Sequence, residues 1–152
     1  MVLWVIFFNL LLLGVCGYAG LRGGAPERIV AALLFGSAVA TVVVQQMHAQ
    51  FEDTEVGTLV VDALLLAGLV AVALQANRYW PIWMTAIHTI AVAVHGAKIA
   101  VPSLLPMIYS VAAALSAFPI LALLAIGTWR HRRRLNESGI DPSWNASLRP
   151  SA

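Results

Sequence analysis

The sequence predicts an all-α integral membrane bundle of five transmembrane helices, with the N-terminus outside and the C-terminus in the cytoplasm. Three observations carry that fold class. Of the 152 residues, 61% are hydrophobic and 11% charged, whereas soluble domains sit near about 45–50% apolar and about 25% charged. The apolar residues fall in five runs, each near the ~20 residues that cross ~30 Å of hydrocarbon as a helix. The basic residues gather at alternate ends of those runs.

The first run, 2–21, contains no charge. It lacks a basic leading segment, and its apolar stretch exceeds the roughly 7–15 residues of a signal peptide, so it reads as a retained helix. Around Cys16 the residues are LGVC, with Val15 where a lipoprotein site requires a small side chain. Cleavage after Ala19 would leave four helices. The second run, 29–46, follows RGGAPER, and the third, 57–77, follows the acidic QFEDTEV. The fourth, 83–102, is entered through RYWPIW, and the fifth, 104–129, ends at RHRRR. In lipid each backbone donor and acceptor must be satisfied within its segment, so each run is a helix. Residues 135–152 are polar, hold two prolines and show no apolar period, which predicts a disordered cytoplasmic tail. The sequon-like Asn136-Glu-Ser and Asn145-Ala-Ser fall on the cytoplasmic side in this threading and read as chance matches.

Charge sets the threading. With the N-terminus outside, the cytoplasmic segments hold Arg22, Arg28, Arg78, Arg130, Arg132, Arg133, Arg134 and Arg149, eight of the nine basic residues. Only Lys98 lies toward the outer side, and Glu52, Asp53 and Glu55 fall outside. An excess of Lys and Arg in short cytoplasmic loops is what orients membrane proteins. Trp4, Tyr79, Trp80, Trp83 and Trp129 sit near the run ends, where aromatic rings prefer the headgroup level.

Lipid tails are as apolar as Leu, so membrane helices associate through small residues. Ala32, Gly36 and Ala40 recur every four residues on the second helix. They predict a packing face, within the bundle first and between copies as the alternative. Ser110–Ala117 offers a second small-residue stretch, and Gly14 and Gly17 thin one side of the first helix.

The fourth run is the least apolar, since it carries His88, His95 and Lys98. At about 100° per residue the two histidines point within roughly 20° of each other, and Thr85 and Lys98 fall on the same broad face. Ile90, Ala93, Ala97 and Val101 occupy the opposite side. An intramembrane ionisable group needs a partner. Asp62 lies ~7.5 Å inside the outer end of the third helix and Lys98 ~6 Å inside that of the fourth. The expectation is an Asp62–Lys98 pair with His95 close enough to share the carboxylate. His88 is expected to be a neutral, hydrogen-bonded structural histidine, satisfied by Thr85, Tyr109 or a backbone carbonyl.

Other chemistries find less support. The single Cys16 excludes an internal disulfide and CxxC chemistry. Bis-histidine haem needs two histidines on different helices at one depth, and His48 and His131 lie beyond helix ends while His88 and His95 lie inside. No cofactor is therefore predicted, haem being the least favoured of the readings kept. His48 with Glu52, Asp53 and Glu55 could hold a cation, but reads more simply as a solvated acidic loop, and no metal is predicted. Arg130, Arg132, Arg133 and Arg134 are predicted to anchor the chain at the lipid headgroups. They are too short and juxtamembrane a run for nucleic acid. No nucleophile–base, phosphate-loop or zinc-protease motif is present, so nothing argues for an enzyme.

The runs GGAPERI and RYWPIW…H, leading to an Arg-rich end, resemble those of small, uncharacterised bacterial inner-membrane proteins with no assigned activity. The resemblance covers most of the chain, implies inner-membrane localisation and transfers no site residues. Small size and small-residue faces make an accessory or scaffolding component of a membrane complex the first functional expectation. Its partners are lipid and other membrane chains, or further copies of itself. A proton- or small-solute-conducting protein using Asp62, His95 and Lys98 is the alternative.

Overall fold

A computed structural model describes residues 2–48, 54–100 and 106–145, with side chains placed over 3–46, 56–97 and 116–145. Five helices follow one another: α1 Val2–Arg22, α2 Ala25–His48, α3 Thr54–Gln75, α4 Trp80–Ala100 and α5 Pro106–Ser138. Among the described residues no strand occurs, apart from a single antiparallel bridge between Ala76 and Trp144. Among the described residues three helices are long and apolar enough to cross a membrane, Leu3–Arg22, Ala25–Gln46 and Val56–Gln75, where five were expected. Of the other two, α4 carries His88 and His95 and α5 runs on through Arg130–Arg134.

Consecutive helices pack on one another and α1 closes on α5, so the bundle is a ring with α2 also touching α5 across it. The buried positions repeat at helical spacing. They are Leu12, Cys16 and Ala19 on α1, Val30, Ala31 and Leu34 on α2, and Leu65, Leu69 and Val72 on α3. Met84, His88 and Ala91 face inward from α4, and Ile120, Leu121, Leu124 and Thr128 from α5. Outward faces are apolar, with Leu3, Leu10, Leu64, Leu74 and Ile90 each more than half exposed. A surface of that kind suits hydrocarbon rather than water. Phe118 on α5 meets Trp4, Phe7 and Phe8 of α1, with ring centroids 5.7–6.3 Å apart, which closes the α1–α5 seam at one end.

Helix ends follow local chemistry. The Gly24 carbonyl accepts the Arg28 N–H at 3.1 Å and opens α2, with Pro26 in the first turn, where its missing N–H costs nothing. A Cβ on Gly23 would overlap the Ala19 carbonyl oxygen and the Glu27 side chain, so the α1–α2 corner requires glycine. Gly139, at φ +71°, stops α5 in the left-handed conformation and donates to the Leu135 carbonyl at 3.0 Å.

The end of α5 departs from expectation. The helix continues through the arginine run to Ser138, and the chain then turns back along the α3–α4 connection. Asn77 N–H donates to the Ser143 carbonyl at 3.2 Å, and Asn145 N–H to that of Gln75 at 2.9 Å. Residues 135–145 are therefore structured rather than a free tail. What holds them is a charge network at that end of the bundle.

Candidate functional site

Two polar regions lie inside the ring, separated by apolar packing. The first is a partly open cavity of about 480 Å³ to which all five helices contribute. Its polar wall comprises Asn9 of α1, Ser37, Thr41 and Gln45 of α2, Thr58 and Asp62 of α3, His88 and His95 of α4, and Ser116 of α5. Below it the interior turns apolar, through Leu69, Met84 and Leu124, all fully buried.

Asp62 is the centre of this cavity. His95 Nε2 lies 3.3 Å from its Oδ2, with both side chains largely buried at 12% and 19% exposure. His88 Nε2 lies 3.0 Å from the backbone carbonyl of the same residue. A carbonyl only accepts, so His88 carries its proton on Nε2 and is a donor there. One residue of α3 thus fixes two histidines of α4, its carboxylate taking one and its carbonyl the other. Of the expected group, His95 is in contact with the Asp62 carboxylate, and the His88 partner is a backbone carbonyl. The Lys98 side chain lies outside the described residues.

The cavity is rich in acceptors. Ser37 Oγ donates to the Leu34 carbonyl at 2.9 Å and Thr41 Oγ1 to the Ser37 carbonyl at 2.9 Å. Asn9 Nδ2 donates to Val5 at 2.8 Å. Ser37 and Thr41 each give their single proton to their own helix, which leaves the hydroxyl oxygen as an acceptor, while Asn9 keeps its Oδ1 and a second N–H. Together with the Asp62 carboxylate they favour a guest that donates hydrogen bonds or carries positive charge.

The second region lies at the opposite end of the core. Arg78, in the α3–α4 connection, pairs through Nη1 with Oε1 of Glu27 at the start of α2, with the two side chains 2% and 0% exposed. Its Nη2 donates to Asp141 Oδ2 at 2.9 Å. His131 Nδ1 lies 2.5 Å from the same oxygen and 3.1 Å from Arg78 Nη2. Because Asp141 accepts and Arg78 only donates, the short contact assigns the proton to His131 Nδ1. Arg134 Nε adds a bond to Asp141 Oδ1 at 2.9 Å. Burial alone would raise the Asp141 pKa, but the hydrogen bonds from Arg134 and His131 and the charges of Arg78 and Arg134 outweigh it. The Asp141 carboxyl is held below its ordinary value of 3.8.

This network was not foreseen, because its members read singly as orientation charges. Its partners lie 51, 53, 63 and 10 residues apart for Glu27–Arg78, Arg78–His131, Arg78–Asp141 and His131–Asp141. One member of the arginine run expected at the lipid headgroups joins this network: Arg134 bonds to Asp141 while its side chain stays 41% exposed. Arg133 pairs with Glu137 at 2.7 Å and packs over Trp129 with 5.9 Å to the ring centroid. Arg130 and Arg133 are exposed, and Arg132 is half-buried.

Ala32 and Gly36 lie on an exposed face, and with Ala40 they border a shallow groove of about 240 Å³ between α2 and α3. A Cβ on Gly36 would meet nothing within 4 Å, whereas one on Gly68 would lie 2.9 Å from Leu33 Cδ1. The close α2–α3 contact is therefore Leu33 over Gly68. Of the acidic loop, Glu52 and Asp53 and the side chains of His48 and Glu55 fall outside the described residues. Comparison of the chain with protein-family models, curated proteins and solved structures gave no match, so the site's own chemistry is what bears on function.

Proposed function

We propose that the protein is a small polytopic membrane protein that takes up protons or a small cationic solute at Asp62 and His95. The observation that carries this reading is the contact between a carboxylate and an imidazole inside a cavity lined by further polar side chains from all five helices. An imidazole can both accept and donate a proton, and a carboxylate beside it can accept one, so the pair offers adjoining sites for a proton or a cation. An acidic group inside a membrane segment is costly and marks a functional site by default.

In this reading all five helices cross a bacterial inner membrane, with the N-terminus outside and the C-terminus in the cytoplasm. The distribution of arginine supports that orientation. The cavity then lies toward the outer leaflet, and the packing of Leu69, Met84 and Leu124 closes its inner side. Passage to the cytoplasm would require that packing to open, as alternating access demands. Reconstitution into liposomes containing a pH-sensitive dye tests the reading. A proton flux above that of empty liposomes, or one driven by a gradient of a small ammonium ion, supports it. No flux with either driving ion contradicts it.

A second reading, an accessory or scaffolding component of a membrane complex, is favoured by the outward Ala32 and Gly36, since small residues let helix backbones approach. Gentle detergent extraction tests it: a stoichiometric partner chain supports this role, and a single species of fixed copy number argues against it.

A further inference from the structure

A groove of about 350 Å³ between the start of α4 and the end of α5 is lined by Arg78, Trp80, Trp83, Ile126, Arg130 and Arg134, among others. Three of these are cations. The network behind them supplies two carboxylates, Glu27 and Asp141. Both carboxylates are taken by Arg78 and Arg134, whereas Arg130 has no carboxylate partner among the described residues.

Two residues lining the groove also carry buried donors without an acceptor among the described residues. Arg78 Nε is buried and unpartnered although its side chain is 2% exposed. Trp80 Nε1 is likewise buried without an acceptor. The indole is held tightly, since a Cβ on Gly127 would lie 2.9 Å from its Nε1 and Cε2. A buried N–H without an acceptor is expensive, and two bordering one groove point to an acceptor-rich anion as their partner. Tyr79, Trp83 and Trp129, 83%, 65% and 54% exposed, flank the groove's end of the bundle. Exposed rings of that kind mark the headgroup level. Ile126 and Leu123 continue the groove as an apolar wall suited to an acyl chain.

We infer that this groove is a binding site for the phosphodiester of an anionic phospholipid, with Arg130 supplying the attraction and Trp80 Nε1–H a directed hydrogen bond. The site rests on the spanning of α4 and α5 and is independent of what the Asp62 cavity carries. The ligand chemistry, a phosphate oxygen, could also be met by free phosphate, so the test must separate the two.

Native mass spectrometry of the full chain, released from nanodiscs of mixed phosphatidylglycerol and phosphatidylcholine, reads lipid retention directly. The wild type is expected to retain phosphatidylglycerol selectively. One arginine near an anionic membrane surface contributes ~1 kcal/mol, so Arg130→Gln should lower retention by about fivefold. Trp80→Phe should lower it while preserving the ring, and Arg133→Gln, ion-paired to Glu137 outside the groove, should leave it unchanged. Equal retention of the two lipids by the wild type would overturn the site. So would an equal loss in Arg130→Gln and Arg133→Gln, which would show diffuse surface charge. Displacement of the lipid by millimolar inorganic phosphate would assign the groove to a free anion and overturn the lipid assignment.

Discussion

His95 and Asp62 join α4 to α3 by a contact of 3.3 Å between Nε2 and Oδ2, inside a cavity walled by all five helices. The residues are 33 positions apart in sequence but meet because two antiparallel helices place them at one depth. Such a pair, shielded on both sides, should show energetic coupling. Unfolding of Asp62→Asn, His95→Gln and the double variant in one detergent is expected to give an interaction free energy of roughly 0.5–3 kcal/mol. Additive losses would show that the contact carries no energy.

Arg78 and Glu27 should be the most sensitive positions in the molecule. Removing one member of a buried pair strands the other charge and costs about 3–5 kcal/mol, more than the intact pair contributes. Arg78→Ala also releases Asp141, so it should destabilise at least as much as Glu27→Ala. Replacing both by apolar residues of similar volume is expected to restore much of the loss. Thermal unfolding followed by helical circular dichroism distinguishes these outcomes.

The lowered Asp141 pKa fixes a direction of acid sensitivity. A carboxyl whose folded pKa lies below its unfolded value binds fewer protons when folded, so it contributes stability above the unfolded value, near 3.8. That contribution is lost as the pH falls through the still lower folded pKa. Wild-type stability should therefore fall below about pH 4, and Asp141→Asn should be less stable at neutral pH with a flatter profile in that acid range. A parallel fall in both proteins would place the acid-sensitive group elsewhere.

The α1–α2 corner should tolerate no side chain at Gly23. The added methyl group of Gly23→Ala meets the Ala19 backbone carbonyl and Glu27, neither of which can rotate away. A loss of about 1–3 kcal/mol is expected, with none from Gly36→Ala, whose Cβ has open space. Equal melting temperatures for the two variants would contradict the close approach.

The helices were legible from their apolar runs, each of which overlaps one of the five helices, although α5 runs nine residues past the expected end at 129. The inward turn of His88 and His95 was legible from the same 100° spacing that leaves Ile90 64% exposed. The Glu27–Arg78–His131–Asp141 network was not, because its members come from four separate stretches of chain. Orientation rules explain each arginine singly and ask for no partner. One signal was available: the threading put Glu27, Arg78, His131 and Asp141 at a single end, so acids and bases could have been matched there. The turn after α5 was likewise announced by Gly139 followed by Pro142, a helix stop that the polar composition of 135–152 obscured.

Proton flux into dye-loaded proteoliposomes, compared between wild type, Asp62→Asn and Asp62→Glu, tests the role of the cavity most directly. The cavity's chemistry predicts flux in the wild type, partial flux in Asp62→Glu and none above empty liposomes in Asp62→Asn. Equal flux in the wild type and Asp62→Asn, both folded by circular dichroism, would contradict it.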